Sequence, residues 1–264
     1  QNKTIVLTIL TMSAPIPINN ERRQQVADAL RLKLPERCIL SDPEDTRPYE
    51  CDGLAAYRQL PMIVTLPDSE EQVLAILNVC RELNVPIVPR GAGTGLSGGA
   101  LPMADGVVIS TARMNRIMRV EPYSRLAVVQ PGVRNLAISE AAAPYQLYYA
   151  PDPSSQIACT IGGNVAENSG GVHCLKYGLT VHNVLALKLV TMEGELLTLG
   201  SETGETPGLN LLGTVIGSEG LLGVVVEVSV RLLPLPHRVE LLLAAFDDVG
   251  RCAEAVGQVI AAGI

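Results

Sequence analysis

With 264 residues, 47% of them hydrophobic and 18% charged, the chain is long enough for one large core or two smaller ones. A formal net charge of −7 with no basic cluster argues against nucleic acid as a partner, and no apolar run approaches the roughly 18 residues of a membrane span. Glycine, at 24 residues, exceeds its usual share of about 7%, which points to tight turns or to backbone pressed against a ligand.

In chain order, Ile5 to Leu10 is apolar but too short for a targeting segment and has no cleavage-like sequence after it. Asn20 to Leu34 reads as a helix, with Val26, Leu30 and Leu34 on one stripe. Ser41 to Asp52, rich in Pro, Asp and Glu, reads as a surface connector. Met62 to Leu66 is a strand, Ser69-Glu70-Glu71-Gln72 a capping box opening a helix, and Pro86 to Pro89 and Val107 to Ser110 two further strands. Leu126 to Gln130 is a strand, Arg134 to Ala142 a helix, Pro151 to Gln156 a loop, and Ile161 to Asn168 a helix entered through Thr160. Val184 to Thr191 and Glu195 to Leu199 form a hairpin about Glu193-Gly194. In Val224 to Leu232 the alternation of Val226, Val228, Val230 and Leu232 with Glu227, Ser229 and Arg231 marks a strand with one buried face. Pro234 and Pro236 end it, and an apolar strand from Arg238 and an alanine-rich helix come next.

The segment Pro89 to Gly99 follows a strand and holds Gly91, Gly93, Gly95 and Gly98. Without Cβ atoms, successive N–H groups can converge on an anion such as a pyrophosphate. A flexible glycine turn is the competing reading. Gly93 and Gly95 are expected to need positive φ. Spacing tests two other loops: G-x-G-x-x-G fails because Leu96 stands where glycine is required, and the Walker pattern fails because Gly99 stands where Lys is required. A second cluster runs from Thr160 to Gly171, where a helix opening at Gly162 would aim free N–H groups at an anion or an electron-rich ring. Close packing on a sheet is the alternative there. A third, Gly217 to Gly223, precedes the clearest strand. Three glycine turns at strand edges fit a long ligand lying across a sheet.

Cys38, Cys51, Cys80, Cys159, Cys174 and Cys252 show no pair within three residues, which removes the usual zinc and iron–sulfur spacings and suits reduced thiols in a cytoplasmic protein, with paired disulfides in an exported protein as the alternative. His173, His182 and His237 are the histidines; His173 lies beside the second glycine cluster and is a weak catalytic candidate, while the other two read as structural.

The segments PRGAGTGLSGG, PDPSS, TIGGNVAENSGG, KYG and GSEGLLGV resemble the FAD-binding domain of the vanillyl-alcohol oxidase / p-cresol methylhydroxylase (PCMH) superfamily. Within it they are similar to GlcD-type glycolate oxidase subunits and related FAD-linked D-lactate and D-2-hydroxyglutarate dehydrogenases, from about Asp42 to Pro236. The resemblance implies an α+β, PCMH-type fold of two α/β subdomains, about 61–120 and 121–236. An N-terminal helix and connector, 1–60, would precede them, and the start of a cap domain, 237–264, would come after. FAD would lie extended between the subdomains. Pro89, Arg90, Gly91, Ala92, Gly93, Thr94, Gly95, Leu96, Ser97 and Gly98 would wrap its pyrophosphate. Pro151, Asp152, Pro153, Ser154, Ser155, Thr160, Gly162, Gly163, Asn164, Asn168, Gly170 and Gly171 would line the flavin side. Glu219, Gly220, Gly223, Val224 and Val225 would serve the adenosine end. Relatives with covalent flavin carry His where this chain has Thr94, so non-covalent FAD is expected.

The implied reaction is oxidation of a 2-hydroxy acid, of the glycolate or D-lactate type, to the 2-oxo acid by hydride transfer to flavin N5. A second flavin-type subunit and an iron–sulfur subunit are the implied partners, in the cytoplasm or at the inner face of the membrane through them. The family's cap and its metal-binding histidines and acids would lie beyond residue 264, so no metal is expected in this chain and little turnover by it alone. A non-catalytic FAD-binding or assembly module, and the UDP-N-acetylenolpyruvoylglucosamine reductase branch, stay open as alternatives; NADPH oxidation with the sugar nucleotide separates the latter.

Overall fold

The structure, a computed structural model, describes residues 18–204 and 208–263. The run Ile5 to Leu10 lies outside them. A first helix, α1 (Asn20–Arg31), is followed by a short strand β1 (Ile39–Leu40) and a one-turn helix α2 (Pro43–Thr46). Then come β2 (Ile63–Thr65), α3 (Glu70–Glu82), β3 (Ile87–Arg90) and β4 (Val107–Ser110). These strands form a sheet in the order β1-β2-β4-β3, with β4 parallel to both β2 and β3 and β1 antiparallel at the edge. Parallel strands need a crossover; α3 carries the chain from β2 past the place of β4 to β3, and the glycine segment returns it from β3 to β4. The helix buries Val73, Ile76, Leu77 and Cys80 on one face, packed with Leu30, Met62, Ile63 and Ile109 in the first core. Burial pushes the Cys80 thiol up to about 12.

Only half of the expected capping box forms at α3. The Ser69 hydroxyl accepts from Gln72 N at 3.4 Å, but the Gln72 amide turns away and accepts from Asp68 N at 2.9 Å. Ser69→Ala is expected to cost about 0.5–1 kcal/mol, read as a lower urea midpoint at unchanged m-value.

The second sheet is antiparallel, in the order β5-β6-β10-β8-β9. Its strands are β5 (Ile117–Glu121), β6 (Leu126–Val129), β8 (Val184–Val190), β9 (Leu196–Gly200) and β10 (Val224–Arg231). Between them in sequence lie α4 (Asn135–Ala142), β7 (Leu147–Tyr148), α5 (Ile161–Glu167), α6 (Cys174–Tyr177), α7 (Thr180–Asn183) and α8 (Leu211–Val215). β7 pairs with β11 (Leu233–Pro234). The central strand β10 serves both cores. Val224 and Val226 pack in the first, and Val228, Val230 and Leu232 pack in the second with Ile138, Ile161 and Leu187. Ser229, expected on the open face, is also buried, because β10 lies in the middle of its sheet. β5 was not expected from the sequence. It joins the second sheet, so the two sheets part between Ser110 and Ile117.

The chain divides into two compact units at Pro234/Leu235. In the second, α9 (Val249–Ala261) is capped by Asp248, whose side chain accepts from Arg251 N at 2.9 Å. The strand expected from Arg238 does not form: no strand edge pairs with it among the described residues, and Leu241, Leu242 and Leu243 are exposed.

Candidate functional site

The glycine segment leaves the sheet where β3 ends at Arg90, at the carboxyl edge of the parallel strands, the side on which open α/β sheets take ligands. Arg90 is a strut beneath the loop. Its side chain is buried, Nη1 donates to the Cys51 carbonyl at 2.8 Å, and the guanidinium lies 5.6 Å from the centre of the Tyr49 ring. Burial lowers its pKa from the ordinary guanidinium value, partly offset by Cys51, Tyr49 and Asp52. Gly93 sits against this guanidinium with φ +71°, and a Cβ there would run into Arg90 Nη2. A Cβ on Gly91 would collide with Thr160 Oγ1. Gly95, by contrast, lies outside the left-handed region, so the expectation of positive φ holds at Gly93 and not at Gly95, while Gly98, for which none was expected, has φ +82°.

The stretch read as a surface connector ends as a shelf beneath the loop. Asp52 is buried; its Oδ2 accepts from Gly98 N at 2.9 Å and its Oδ1 from Leu54 N at 2.8 Å. Gly53 N donates to the Gly95 carbonyl at 2.9 Å, and a Cβ on Gly53 would stand 2.8 Å from that oxygen. With the loop held from below, the N–H groups of residues 91–97 make no hydrogen bond to any described residue. A row of unpaired donors is what an anion nest requires.

The opposite wall is α5. Thr160 caps it, its hydroxyl accepting from Gly163 N at 3.4 Å. Its first donors are not free for a ligand: Ile161 N donates to the Val133 carbonyl and Gly162 N to the Pro131 carbonyl, each at 2.8 Å. The glycine at 162 serves packing, because a Cβ there would stand 2.7 Å from Pro131 Cβ. The side chains of α5 remain for the ligand. Asn164 is buried, and its Nδ2 donates to Asn135 Oδ1 at 2.8 Å. Glu167 accepts from the Ser97 hydroxyl at 2.7 Å, tying the far end of the loop to α5.

Between loop and helix lies a cleft of about 280 Å³, lined by Pro89, Gly91 to Leu96, Ser155, Thr160, Gly163, Asn164, Glu167 and Glu219 among others. A smaller pocket of about 60 Å³ shares Pro89, Gly91, Gly163 and Glu219 with it and adds Arg90, Gly162, Gly220, Gly223, Val224 and Val225. All three glycine clusters therefore meet at one place. Ser97, Gly98, Pro151, Asp152, Pro153, Ser154, Asn168, Gly170 and Gly171 do not line either cavity. Asn168 ends α5 in the left-handed region and its Oδ1 accepts from Val181 N at 3.0 Å. Asp152 pairs with His173, Oδ2 to Nδ1 at 2.6 Å, and Gly171 is packed so closely on Asp152 that no Cβ fits. His173 is largely exposed and tilted toward Tyr177, outside the cleft. Asp52, Gly53, Asn135 and Glu167 were not singled out from the sequence. The Asp52-Gly53 dipeptide was a turn signal, and Glu167 sat inside a quoted motif, but nothing in the sequence marked Asn135.

The FAD binding domain family matches residues 61–200. This chain belongs to that family. Curated relatives of the FAD-binding domain include the glycolate oxidase subunit GlcD of Escherichia coli (strain K12), 60% identical over 92% of this chain and 48% of the relative. GlcD of Bacillus subtilis (strain 168) is 40% identical over 82% of this chain and 46% of its own length, and a D-lactate dehydrogenase of Anaerostipes hadrus 35% identical over 85% and 47%. The chain thus spans about half the length of the curated relatives it matches. An alkyldihydroxyacetonephosphate synthase structure superposes with a TM-score of 0.78 at 23% identity, covering 99% of this chain and 49% of that one. The fold is accordingly the α+β, PCMH-type FAD-binding fold. The cleft fits the family's cofactor on its own terms: unpaired N–H donors at 91–97 suit a pyrophosphate, and close-set glycines leave room for it. No helix of the described residues is long and apolar enough to cross a membrane.

Proposed function

We propose that this chain is the FAD-holding part of a flavin-dependent oxidoreductase that oxidises a 2-hydroxy acid of the glycolate or D-lactate type to the 2-oxo acid. The observation that carries the reading is the row of unpaired backbone donors at residues 91–97, set in a cleft that two further glycine clusters line. In this reading residues 91–97 bind the pyrophosphate and Arg90 keeps the loop rigid from below. Ser155, Thr160, Gly163 and Asn164 line the flavin side, with the Pro151–Ser154 and Gly170-Gly171 segments supporting them. Glu219 to Val225 lie toward the adenosine end. The FAD-binding body is residues 61–236, after an N-terminal segment 1–60, and 237–264 begins a cap. Bound in the cleft, FAD supplies the two-electron acceptor.

Both GlcD relatives named above are called glycolate oxidase subunits, which supports assembly with other subunits. A second flavin-type subunit and an iron–sulfur subunit are the proposed partners, and the cytoplasm, or its membrane face through those partners, the proposed location. Thr94 stands where a covalent flavin link would need His, so the FAD is held without a covalent bond. Purified protein is expected to be yellow, with the two flavin absorption bands. Acid precipitation should release all of the FAD into the supernatant. Colourless protein that takes up no added FAD, or flavin that stays with the precipitate, would refute the corresponding half of this reading.

A further inference from the structure

We infer that Asn135 is a positioning residue that fixes the polarity of one cofactor-facing group: it holds Asn164 so that the amide oxygen, not the NH2, faces the cleft. The inference rests on the FAD reading above. It starts from the Pro151 carbonyl, which can only accept. Asn135, itself buried, must therefore turn its NH2 toward that oxygen, and Nδ2 donates to it at 2.9 Å. This leaves Asn135 Oδ1 turned the other way, where it can only accept, and Asn164 Nδ2 donates to it at 2.8 Å. If either amide were reversed, two acceptors or two donors would face each other in a buried place, at a cost neither could relieve through water. The orientation thus passes from a main-chain carbonyl through two side chains to the wall of the cleft.

At the end of this relay stands Asn164 Oδ1. Asn164 is 2% exposed and lines the cleft, yet its Oδ1 makes no hydrogen bond to any described residue. The amide oxygen of a buried side chain, without a protein partner and bordering the cleft, awaits a donor. The geometry specifies an N–H or O–H donor on the bound cofactor at this point, and it rejects an acceptor there. Asn135 is held firmly enough to enforce this: it begins α4, and its backbone N–H donates to the Cys159 carbonyl at 2.9 Å, beside the cap of α5.

The test uses the purified full chain, with FAD affinity from flavin fluorescence quenching and ADP as a probe of the pyrophosphate loop alone. Asn135→Leu frees the Asn164 amide to rotate and should weaken FAD about tenfold, the worth of one hydrogen bond to the ligand, with ADP affinity unchanged. Asn135→Asp should bind FAD close to wild type, because a buried carboxyl at 135 that keeps its proton donates to the Pro151 carbonyl as the amide did, and its other oxygen still accepts from Asn164 Nδ2. Asn135→Leu combined with Asn164→Ala should bind FAD no more weakly than Asn164→Ala alone, since both changes act through one oxygen. If the leucine variant does not fold, Asn135→Ala takes its place in each comparison. Equal losses in the aspartate and leucine variants, additive losses in the double variant, or wild-type affinity in the leucine variant each overturn the inference. A wild-type chain that does not bind FAD overturns the FAD reading and this inference with it.

Discussion

Replacing Gly93 by valine should weaken FAD binding by at least about thirtyfold, while Gly95→Ala leaves it nearly intact. A β-branched residue at φ +71° carries a backbone strain of about 1–3 kcal/mol. In addition its Cβ meets Arg90 Nη2, so the loop must lift off its strut or displace a buried guanidinium. Either movement disperses the N–H groups of residues 91–97, which on the function proposed above hold the pyrophosphate together. Gly95 is free of both penalties. Its backbone conformation suits any residue, and an added Cβ would stand 3.3 Å from Glu167 Oε1, the far end of a side chain that can move. Titration of the two purified variants with FAD, beside wild type, measures the contrast. Similar losses in both would mean that the loop is a uniformly crowded turn and not a nest built around one left-handed residue.

Arg90→Met is the second large effect. Methionine keeps much of the buried volume but removes the donor to the Cys51 carbonyl and the cation over Tyr49. A lost hydrogen bond from a charged group together with a lost cation–π contact should cost roughly 2 kcal/mol of global stability, read by urea denaturation. FAD affinity should fall as well, because Arg90 spans from the shelf at residues 49–52 to the underside of Gly93. Arg90→Lys should restore only part of the loss, since an ammonium lacks the planar face that lies on Tyr49. A methionine variant with both the urea midpoint and the FAD affinity of wild type would show that the guanidinium supports nothing.

Much of this was legible in the sequence where one physical rule governed a segment. The alternation from Val226 to Leu232 gave away β10, and the helical spacing of Val73, Ile76, Leu77 and Cys80 gave away α3. The three glycine clusters converge as their strand-edge positions suggested. Legibility failed where the partner decided the outcome. β5 carries the exposed Met118 and Arg119 on an edge and shows little buried face, so it had no pattern to read. The apolar run after Arg238 has strand composition but no edge to pair with among the described residues. The N–H of Gly162 was open in the sequence and is taken by the Pro131 carbonyl, 31 residues earlier in the chain. The shelf formed by Asp52 and Gly53 and the amide relay through Asn135 depend on contacts between distant segments, which local spacing does not encode.

The placement of β10 has a consequence for how the protein is made. Every strand of the first sheet lies within residues 39–110, so that sheet and the glycine loop are complete early in synthesis. The second sheet has its central strand at 224–231, and β6 and β8 each wait for it as their neighbour. Until residue 224 and those after it are made, β6 and then β8 each have one edge without its partner, the kind of exposed edge that invites association with other chains. The floor of the smaller pocket, Gly223 to Val225, arrives at the same moment. The smaller pocket is therefore complete only after translation of nearly the whole first unit.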